Sequence, residues 1–404
     1  MRVSIKPGVA KGTVTAPPSK SMAHRLLICA AMSDGVSRVH GISDCEDVRA
    51  TLDCISALGI KYTVDGDTVT VCGKNPKEAT PQKPLSARES GSTLRFFIPI
   101  ALLSGKTTMF VGSGRLMSRP LGVYEDICRE RRMAFIQDGE TITVRGPITG
   151  GSFTVVGNVS SQFISGLLFA LPVLPESSRI KILPPIESKS YIDMTISALR
   201  TFGVEAVWEN EYTIFIKGNQ TYRASDVRVE GDYSGAAFLD ALNVFDGEVS
   251  VEGLDPDSIQ GDRVYARHFE KLAHGLPTIH IGDCPDLGPI LFAVAAARCG
   301  GIFGGTKRLK IKESDRAAAM AAELEKLGTS LSVYDDKVVV YPKEFHAPTE
   351  PIQAHGDHRI VMSMAILLTL VGGEIEGAEA VSKSYPGFFR DLRSLGIEVI
   401  EHEA

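Results

Sequence analysis

Two cations open an apolar helix near the start of the sequence. In "PPSKSMAHRLLICAAM" (17–32), Lys20 and Arg25 follow a proline pair and lead into a predicted helix. A helix N-terminus already has unpaired N–H groups and a partial positive charge, so added cations are unfavourable there. They become favourable when the site binds an anion such as phosphate or carboxylate. Side chains that extend into water are the alternative interpretation of this one helix.

The same arrangement recurs at six further predicted helix starts. The polar or charged residues are Arg95 in 87–103; Arg115 and Arg119 in 112–127; Ser160, Ser161 and Gln162 in 158–174; Asp286 in 283–297; Lys312, Glu313, Asp315 and Arg316 in 310–328; and Asp357, His358 and Arg359 in 354–370. This repetition predicts a highly charged ligand that carries phosphate and carboxylate groups. Taken singly, Asp357 is also typical of a helix cap, and Glu313 with Arg316 of an i,i+3 surface pair.

Other chemistries find little support in the residues. His355 and His358 lack a third metal ligand at suitable spacing, so the sequence predicts no metal site. Cys284 has no adjacent cation, so we expect a small buried residue rather than a nucleophile. No G-x-G-x-x-G follows a strand, and "LLSGKT" (102–107) lacks the first glycine of a P-loop.

An internal repeat predicts the elements that position these residues. Segments 55–73, 199–218 and 324–342 each have the pattern of a helix end, a glycine, a strand, a two-residue turn and an alternating strand. Weaker copies lie at 128–146, 392–404 and, in shortened form, 269–282. Six copies of a mixed helix-and-hairpin unit predict two α/β or α+β domains of three units each.

Length and charge narrow the class of protein. A chain of 404 residues exceeds one ordinary core, which also favours two domains. The net charge of −6 argues against nucleic acid or a membrane surface as partner, and no apolar stretch is long enough to span a bilayer. The N-terminal segment lacks the apolar region of a secretory signal. The seven cysteines are odd in number and show no C-x-x-C, which predicts a reduced, cytoplasmic protein without zinc.

Taken in order, these motifs resemble the 5-enolpyruvylshikimate-3-phosphate synthase family of enolpyruvyl transferases. The likeness runs along the whole chain, through PPSKSMAHR, SGSTLRF, RLMSRPLG, NVSSQF, ESKSYIDMT, PDLGPI, IKESDR, GDHRIVMSMA and KSYPGFFRDL. It implies an α/β (α+β) fold of two domains, each of three βαβαββ units, in an inside-out α/β barrel with the active site in the interdomain cleft. It also implies a discontinuous lower domain, 1–13 with 227–404, an upper domain, 14–226, and crossovers near 12–16 and 224–230.

The resemblance implies a reaction as well. The family transfers the enolpyruvyl group of phosphoenolpyruvate to the 5-hydroxyl of shikimate 3-phosphate and releases phosphate, in the shikimate pathway of aromatic amino acid biosynthesis. It needs no metal or other cofactor and is the target of glyphosate. The implied partners are these two small molecules, with neither nucleic acid nor membrane, and the expected protein is a cytoplasmic monomer.

Residue roles carry over by motif. Asp286 matches the carboxylate beside the 5-hydroxyl, Glu313 a second carboxylate, and Lys20 a third proton carrier; the group that protonates the methylene carbon stays open. The implied contacts of shikimate 3-phosphate are Lys20, Ser21, Arg25, Ser160, Ser161, Gln162, Ser188, Tyr191, Asp286 and Lys312. Those of phosphoenolpyruvate are Lys20, Gly91, Arg119, Gln162, Arg316, Arg359 and Lys383.

One departure and two alternatives accompany the resemblance. The family commonly has Asn-Ala-Gly-Thr where this chain has Glu89-Ser90-Gly91-Ser92, so a ligand contact by the side chain of Glu89 is in doubt. The sister enzyme that uses UDP-N-acetylglucosamine carries a loop cysteine where this chain has Gly114. A non-catalytic repeat protein that binds phosphorylated ligands is the other alternative, and it would gain nothing from Asp286 and Glu313.

Overall fold

The structure is a computed structural model that describes residues 1–402. The helices are α1 (Lys20–Met32), α2 (Glu46–Ala57), α3 (Gly91–Ala101), α4 (Gly114–Met117), α5 (Gly122–Glu130), α6 (Ser161–Ala170), α7 (Lys189–Thr201), α8 (Tyr233–Val244), α9 (Tyr265–His274), α10 (Gly288–Ala297), α11 (Arg316–Lys326), α12 (His358–Val371) and α13 (Phe388–Ser394). Each of the seven helix starts predicted to carry polar residues begins a helix, at α1, α3, α4 with α5, α6, α10, α11 and α12.

Short strands alternate with these helices. They are β1 (Arg2–Ile5), β2 (Lys11–Thr15), β3 (Gly35–His40), β4 (Lys61–Asp65), β5 (Thr68–Gly73), β6 (Leu85–Ser86), β7 (Thr107–Val111), β8 (Ala134–Asp138), β9 (Thr141–Arg145), β10 (Gly151–Val156), β11 (Ser178–Leu183), β12 (Ala206–Asn210), β13 (Thr213–Ile216), β14 (Asp226–Arg228), β15 (Glu248–Glu252), β16 (Thr278–His280), β17 (Gly301–Gly304), β18 (Ser330–Val333), β19 (Lys337–Tyr341), β20 (Ile352–Gln353), β21 (Gly373–Glu376) and β22 (Val399–His402).

The chain divides into two compact units. Unit 1 joins Met1–Ser19 to the chain from Gly231 onward, and unit 2 is Lys20–Glu230. Unit 1 is therefore discontinuous in sequence. Its boundaries fall at the first residue of α1 and shortly before α8, a few residues later in the chain than the expected positions after 13 and 226.

Unit 2 contains three sheets with one topology. Their strand orders are β14-β3-β5-β4, β6-β7-β9-β8 and β10-β11-β13-β12. The first two strands of each sheet are parallel, and the last two pair antiparallel as a hairpin. Parallel neighbours require a crossover connection, which α3 provides between β6 and β7 and α6 between β10 and β11, whereas β14 pairs with β3 from the far end of the unit. The sequence pattern of helix, glycine and alternating hairpin thus gives one βαβαββ unit three times.

Unit 1 repeats this topology twice and shortens it once. The orders β16-β17-β19-β18 and β20-β21-β1-β22 match those of unit 2, and β15 pairs only with β2. The N-terminal strand β1 is antiparallel to both β21 and β22. The copy at 392–404 therefore finds its hairpin partner at the other end of the described chain, which explains why that copy reads as a single strand in the sequence.

Buried helices form the core of each unit, and the sheets cover them. Every residue of α1 from Met22 to Met32 is buried, as is every residue of α10 up to Ala296. Along β11, by contrast, burial alternates with the pleat, so one face of the sheet packs on the helices and the other faces water. Helices that are apolar on all sides belong inside a core, so each unit is an inside-out α/β barrel.

The repeat prediction is right for the hairpins and wrong at one copy. Gly59, Gly203 and Gly328 all have φ in the left-handed region, as a glycine after a helix end should. The turn of the 324–342 copy has three residues rather than two. At 269–282, φ of Gly275 is 174°, which is extended, and the one following strand, β16, pairs with β17 of the next sheet. This segment is therefore not a sixth hairpin copy.

Candidate functional site

Three helix starts in unit 1 bring six charged side chains together. Asp286 lies in the 3₁₀ turn that precedes α10, Arg316 is the first residue of α11, and Asp357 is the N-cap of α12. Asp357 accepts a hydrogen bond from the Arg359 backbone N–H at 2.9 Å, so the cap interpretation is confirmed. We call the set the carboxylate cluster; its members are Asp286, Lys312, Glu313, Arg316, Asp357 and Arg359.

Arg316 is the centre of this cluster. Its Nε donates to Asp357 Oδ2 at 2.9 Å, its Nη1 to Asp286 Oδ1 at 2.8 Å and its Nη2 to Glu313 Oε2 at 2.6 Å. The side chain is 1% exposed, so this i,i+3 contact with Glu313 is not a surface pair. Burial alone would lower the pKa of the guanidinium, but Asp357, Glu313 and Asp286 raise it above its ordinary value.

Asp286 is held ionised by three cations. Besides Arg316, Lys312 Nζ donates to its Oδ1 at 3.1 Å and Arg359 Nη2 to its Oδ2 at 3.2 Å. Burial raises the pKa of the carboxyl, yet Arg359, Lys312 and Arg316 together bring it well below the usual range. Asp286 is therefore a carboxylate at neutral pH. The three cations and three carboxylates of the cluster balance in formal charge.

The pKa of Lys312 is shifted towards neutrality. Burial lowers it to about 8, with Asp286 opposing that effect and Arg316 adding to it. An ammonium with a pKa near 8 exchanges its proton readily at neutral pH. Lys312 thus combines a charge suited to an anion with the ability to carry a proton.

Three site contacts in unit 1 were not predicted from the sequence. Arg359 Nη1 donates to Ser234 Oγ at 2.7 Å and to the Asp286 carbonyl at 2.9 Å. Ser234 is the second residue of α8, whose N-cap is Asp232. The Asp–Tyr–Ser triplet before an apolar helix could have indicated the contact with Ser234, but it lacks the cation that marked most of the other helix starts. Lys383 Nζ donates to the carbonyl of Gly356, the residue before Asp357.

Cys284 is buried, as the sequence predicted. Its Sγ lies 3.9 Å from His268 Nε2, but burial raises the pKa of the thiol and lowers that of the imidazole to about 4. Both groups are therefore neutral at physiological pH. A protonated thiol beside a neutral histidine that is unsuited to accept its proton is not an activated nucleophile.

In unit 2, the two cations of the opening motif have partners within the protein. Lys20 Nζ contacts Asp47 Oδ2 of α2 at 2.6 Å, and its side chain is 15% exposed. Arg25 is 2% exposed and donates to Thr195 Oγ1 at 2.8 Å, the Ser21 carbonyl at 2.6 Å and the Tyr191 carbonyl at 2.9 Å. The interpretation that both side chains extend into water is wrong.

Arg25 differs from Arg316 in its acceptors. Its hydrogen-bond acceptors are a hydroxyl and two carbonyls, all neutral, and its guanidinium also lies 5.2 Å from the ring centroid of Phe96. Burial lowers its pKa to about 10, which neighbouring groups offset only in part. A buried guanidinium with neutral acceptors would gain strongly from an anion in contact with it.

A second group in unit 2 surrounds Gly91, the first residue of α3. A Cβ at this glycine would lie 2.9 Å from Arg119 Nη1 and 3.0 Å from Arg95 Nη1. Arg95 Nη1 donates to Gln162 Oε1 at 2.7 Å, and Gln162 Nε2 donates to Ser92 Oγ at 2.8 Å. The glycine therefore lets two guanidinium groups approach the helix start, where N–H groups also point outward.

We call these four cationic side chains of unit 2, Lys20, Arg25, Arg95 and Arg119, the cation cluster. The predicted serines lie at the starts of two further helices of unit 2, α6 and α7. Ser160 caps α6 and its Oγ accepts from the Gln162 N–H at 3.3 Å, with Ser161 following. Ser188 is buried with φ of 57° at the start of α7, where its carbonyl accepts from the Tyr191 N–H. The side chain of Glu89 is exposed.

The described residues include neither a metal-binding group nor a membrane-spanning helix. Among residues 1–402, no group of three or more His, Cys, Asp or Glu side chains is arranged to hold a metal ion. No helix in the same residues has the length and hydropathy needed to cross a bilayer.

The carboxylate cluster is suited to more than the binding of anions. Ionised carboxylates would repel an anionic ligand, but they can accept a hydrogen bond from a reacting hydroxyl, and the adjacent lysine of pKa about 8 can carry its proton. The chain is therefore an enzyme of the two-unit α/β type, whose helix starts hold the groups that handle a charged small molecule.

Comparison with known proteins identifies the family. The sequence profile of EPSP synthase (3-phosphoshikimate 1-carboxyvinyltransferase) matches residues 5–392. Relatives named 3-phosphoshikimate 1-carboxyvinyltransferase include one from Clostridium perfringens, 40% identical over 98% of both chains, and one from Clostridium kluyveri, 38% identical over 99% of this chain and 98% of the other. The chain belongs to the EPSP synthase family, and the expected family and enzyme class are confirmed.

Solved structures support the same fold. An EPSP synthase from Acinetobacter baumannii superposes with a TM-score of 0.80 over 100% of both chains, at 23% sequence identity. A second structure of EPSP synthase from that organism gives 0.79 over 99% of this chain. The α/β fold expected from the sequence is thereby confirmed.

Proposed function

We propose that this enzyme transfers the enolpyruvyl group of phosphoenolpyruvate to the 5-hydroxyl of shikimate 3-phosphate and releases inorganic phosphate. The observation that carries the proposal is the carboxylate cluster, in which Asp286 and Glu313 are both bound to Arg316 with Lys312 beside them. This arrangement supplies proton carriers at helix starts that also favour anions. The family to which the chain belongs carries the corresponding name.

The reaction needs an acid and a base in each half. First, the 5-hydroxyl oxygen bonds to C2 of phosphoenolpyruvate while C3 gains a proton and the hydroxyl loses one, which gives a tetrahedral intermediate. Next, C3 loses a proton and the bond from C2 to the phosphate oxygen breaks, so the vinyl ether forms and phosphate leaves. Each half therefore moves one proton at carbon and accommodates a change of charge at oxygen.

Asp286 and Lys312 are suited to the oxygen side of this chemistry. The carboxylate of Asp286 accepts a hydrogen bond from the 5-hydroxyl and orients it for attack. Because its pKa is far below that of an alcohol, Asp286 does not keep the proton, whereas Lys312, at 3.1 Å with a pKa of about 8, can pass it on. Transfer between groups in hydrogen-bond contact needs no further movement.

Glu313 and Lys20 are the groups we assign to proton transfer at the methylene carbon. The Glu313 carboxylate is fixed by Arg316 at 2.6 Å, and the Lys20 ammonium by Asp47 at 2.6 Å. Substituting Glu313 and Lys20 one at a time distinguishes their roles. Only the group that carries the proton of the methylene carbon should control exchange of solvent deuterium into C3.

The remaining residues of the proposed site bind the anionic groups. We assign shikimate 3-phosphate to Lys20, Ser21, Arg25, Ser160, Ser161, Gln162, Ser188, Tyr191, Asp286 and Lys312, and phosphoenolpyruvate to Lys20, Gly91, Arg119, Gln162, Arg316, Arg359 and Lys383. Arg25 supports this assignment because its buried charge has neutral acceptors. Arg316 can take part through the second N–H of Nη1, since one N–H already binds Asp286.

A phosphate-release assay tests the proposed function. We expect phosphate from phosphoenolpyruvate with shikimate 3-phosphate as acceptor, and none with UDP-N-acetylglucosamine. Release with the nucleotide sugar alone would instead identify the sister reaction. Calorimetric binding of both substrates without any phosphate release would favour the non-catalytic alternative.

We also propose that the enzyme works as a monomer in the cytoplasm, without nucleic acid or membrane as partner. In support, the contacts that hold the carboxylate cluster together all lie within unit 1. Light scattering of the active protein should give the mass of one chain, 43.5 kDa. A mass of two chains that persists on dilution to assay concentration would contradict the proposal.

A further inference from the structure

The loop between β20 and α12 presents two groups to site residues. The carbonyl of Gly356 accepts from Lys383 Nζ at 2.6 Å. The carboxylate of Asp357 accepts from Arg316 Nε at 2.9 Å and from Ser314 Oγ at 3.0 Å. The conformation of this loop therefore sets where Lys383 and Arg316 place their charges.

A buried carboxylate holds the other end of the loop. Glu323 is 2% exposed, and its Oε1 lies 2.6 Å from His355 Nε2. Its Oε2 accepts from the Gln353 backbone N–H at 3.0 Å and from Lys326 Nζ at 2.8 Å. Four lone-pair positions of the carboxylate thus meet three donors, of which His355 belongs to the loop and Gln353 is the last residue of β20, the strand that leads into it.

Glu323 and Arg316 lie on the same face of α11. They are seven residues apart, which is close to two full turns of an α-helix. One helix face therefore contacts the loop twice, through Arg316 at Asp357 and through Glu323 at His355 and Gln353. Because α11 is a rigid helix, a shift of the helix at one of these contacts also moves the other contact.

The backbone of His355 needs this second contact. Its φ is 51°, in the left-handed region that residues with a Cβ rarely adopt. The next residue, Gly356, also has a positive φ of 63°. Two successive left-handed residues turn the chain into α12, and the hydrogen bond from His355 to Glu323 compensates for the unfavourable conformation.

We propose that Glu323 and His355 are positioning residues of the phosphoenolpyruvate half of the site. Neither Glu323 nor His355 is assigned a contact with a substrate. They fix the Gly356 carbonyl and the Asp357 carboxylate, and through these the side chains of Lys383 and Arg316. The inference rests on the proposed function, because that function assigns Lys383 and Arg316 to phosphoenolpyruvate.

Steady-state kinetics of Glu323→Gln and His355→Asn test the inference. The chain offers matched controls: Glu325→Gln on the exposed side of the same helix, and His346→Asn at an exposed loop position. We expect both test variants to raise KM for phosphoenolpyruvate roughly tenfold, because small misplacement of binding groups has effects of this order or larger. KM for shikimate 3-phosphate should rise less, and both controls should match the wild type.

A double variant separates positioning from a loss of stability. If Glu323 and His355 act through one contact, Glu323→Gln combined with His355→Asn raises KM for phosphoenolpyruvate no more than the larger single effect. Thermal unfolding checks that each variant folds, and the partly exposed His355 keeps the test usable if Glu323→Gln does not fold.

Two results would overturn the inference. One is an unchanged KM for phosphoenolpyruvate in a folded His355→Asn variant, and the other is an equal rise of both KM values. Wild-type protein without any phosphate release would instead reject the proposed function, so the two failures are distinguishable.

Discussion

The two clusters compensate their buried arginines in opposite ways. In the carboxylate cluster of unit 1, Arg316 donates to three carboxylates and its pKa is raised. In the cation cluster of unit 2, Arg25 donates to a hydroxyl and two carbonyls, and its pKa is lowered to about 10. Unit 1 thus contains its own anions, whereas Arg25 is prepared for one from outside. We infer that most contacts of shikimate 3-phosphate lie in unit 2, whereas unit 1 holds the carboxylates of proton transfer, Asp286 and Glu313.

The largest expected effect comes from Asp286. Asp286→Asn keeps the shape of the side chain but removes the charge that orients the hydroxyl and pairs with Lys312. We expect kcat to fall roughly 10²–10⁴-fold, the range for general acid–base groups. Asp335→Asn, at an exposed carboxylate paired with Lys310, is the matched control and should keep wild-type turnover. Near-normal kcat in Asp286→Asn would remove this residue from the mechanism.

Arg316 should matter for stability as well as for catalysis. Arg316→Met leaves Asp357 and Glu313 without their shared guanidinium in a buried site. Breaking a buried ion pair from one side costs about 3–5 kcal/mol, so chemical denaturation should show a loss of that order. Arg390→Met removes an arginine paired with Asp391 at the surface and should leave the free energy of unfolding almost unchanged. Equal losses of unfolding free energy in Arg316→Met and Arg390→Met would contradict the central position of Arg316.

Arg25 should matter more for substrate affinity than for stability. Arg25→Met loses three hydrogen bonds to neutral groups, so we expect a smaller loss of stability than for Arg316→Met. Affinity for shikimate 3-phosphate should fall on the order of 10²-fold, because the substrate loses a buried cationic partner. Calorimetric titration checks the affinity, and denaturation of the same preparation checks the stability. A variant destabilised as much as Arg316→Met, with normal affinity, would reverse the comparison.

These contrasts show which features the sequence could predict. Gly59 and Gly203 marked helix ends followed by alternating residues, and local chemistry alone decides such hairpins. The helix starts were also local, because proline, serine and aspartate precede apolar runs. The segment 269–282 was interpreted wrongly because Gly275 does follow a helix, α9, but its φ is extended and not left-handed. Only packing determines that the next strand, β16, joins the following sheet.

The compensation of charge could not be predicted in the same way. Lys20 and Asp47 are 27 residues apart, and their pairing depends on how α1 packs against α2. Ser234 and Arg359 are 125 residues apart and meet only through tertiary structure. The sequence therefore showed where charges occur, but it did not distinguish a cation with a carboxylate partner from one with neutral acceptors.

Gly91→Ala should have a moderate effect on the cation cluster. The added Cβ would lie 2.9 Å from Arg119 Nη1 and 3.0 Å from Arg95 Nη1, and both guanidinium groups can shift slightly. We expect KM for phosphoenolpyruvate to rise several-fold, with glyphosate, the longer competitor, losing more affinity than the substrate. Inhibition constants measured beside KM test this, and equal losses for the two ligands would refute the steric explanation.

The smallest expected effect is a pH dependence from Lys312. Its pKa of about 8 means that the ammonium loses its charge between pH 7 and 9, so KM for shikimate 3-phosphate should rise above pH 8. Lys312→Gln should have a higher KM without this inflection. Stability has the opposite sign: the folded pKa lies below the ordinary 10.5, so the contribution of Lys312 to stability improves as pH rises from about 8 to 10.5. An inflection retained in Lys312→Gln would assign it to another group.

Calorimetric titration of shikimate 3-phosphate, together with turnover, into Asp286→Asn and Arg25→Met most directly tests the division between the clusters. We predict that Asp286→Asn binds the substrate with nearly wild-type affinity and loses turnover. We also predict that Arg25→Met loses affinity, and that saturating shikimate 3-phosphate restores much of its turnover. The reverse pattern, with binding lost in Asp286→Asn and kept in Arg25→Met, would contradict this division between the clusters.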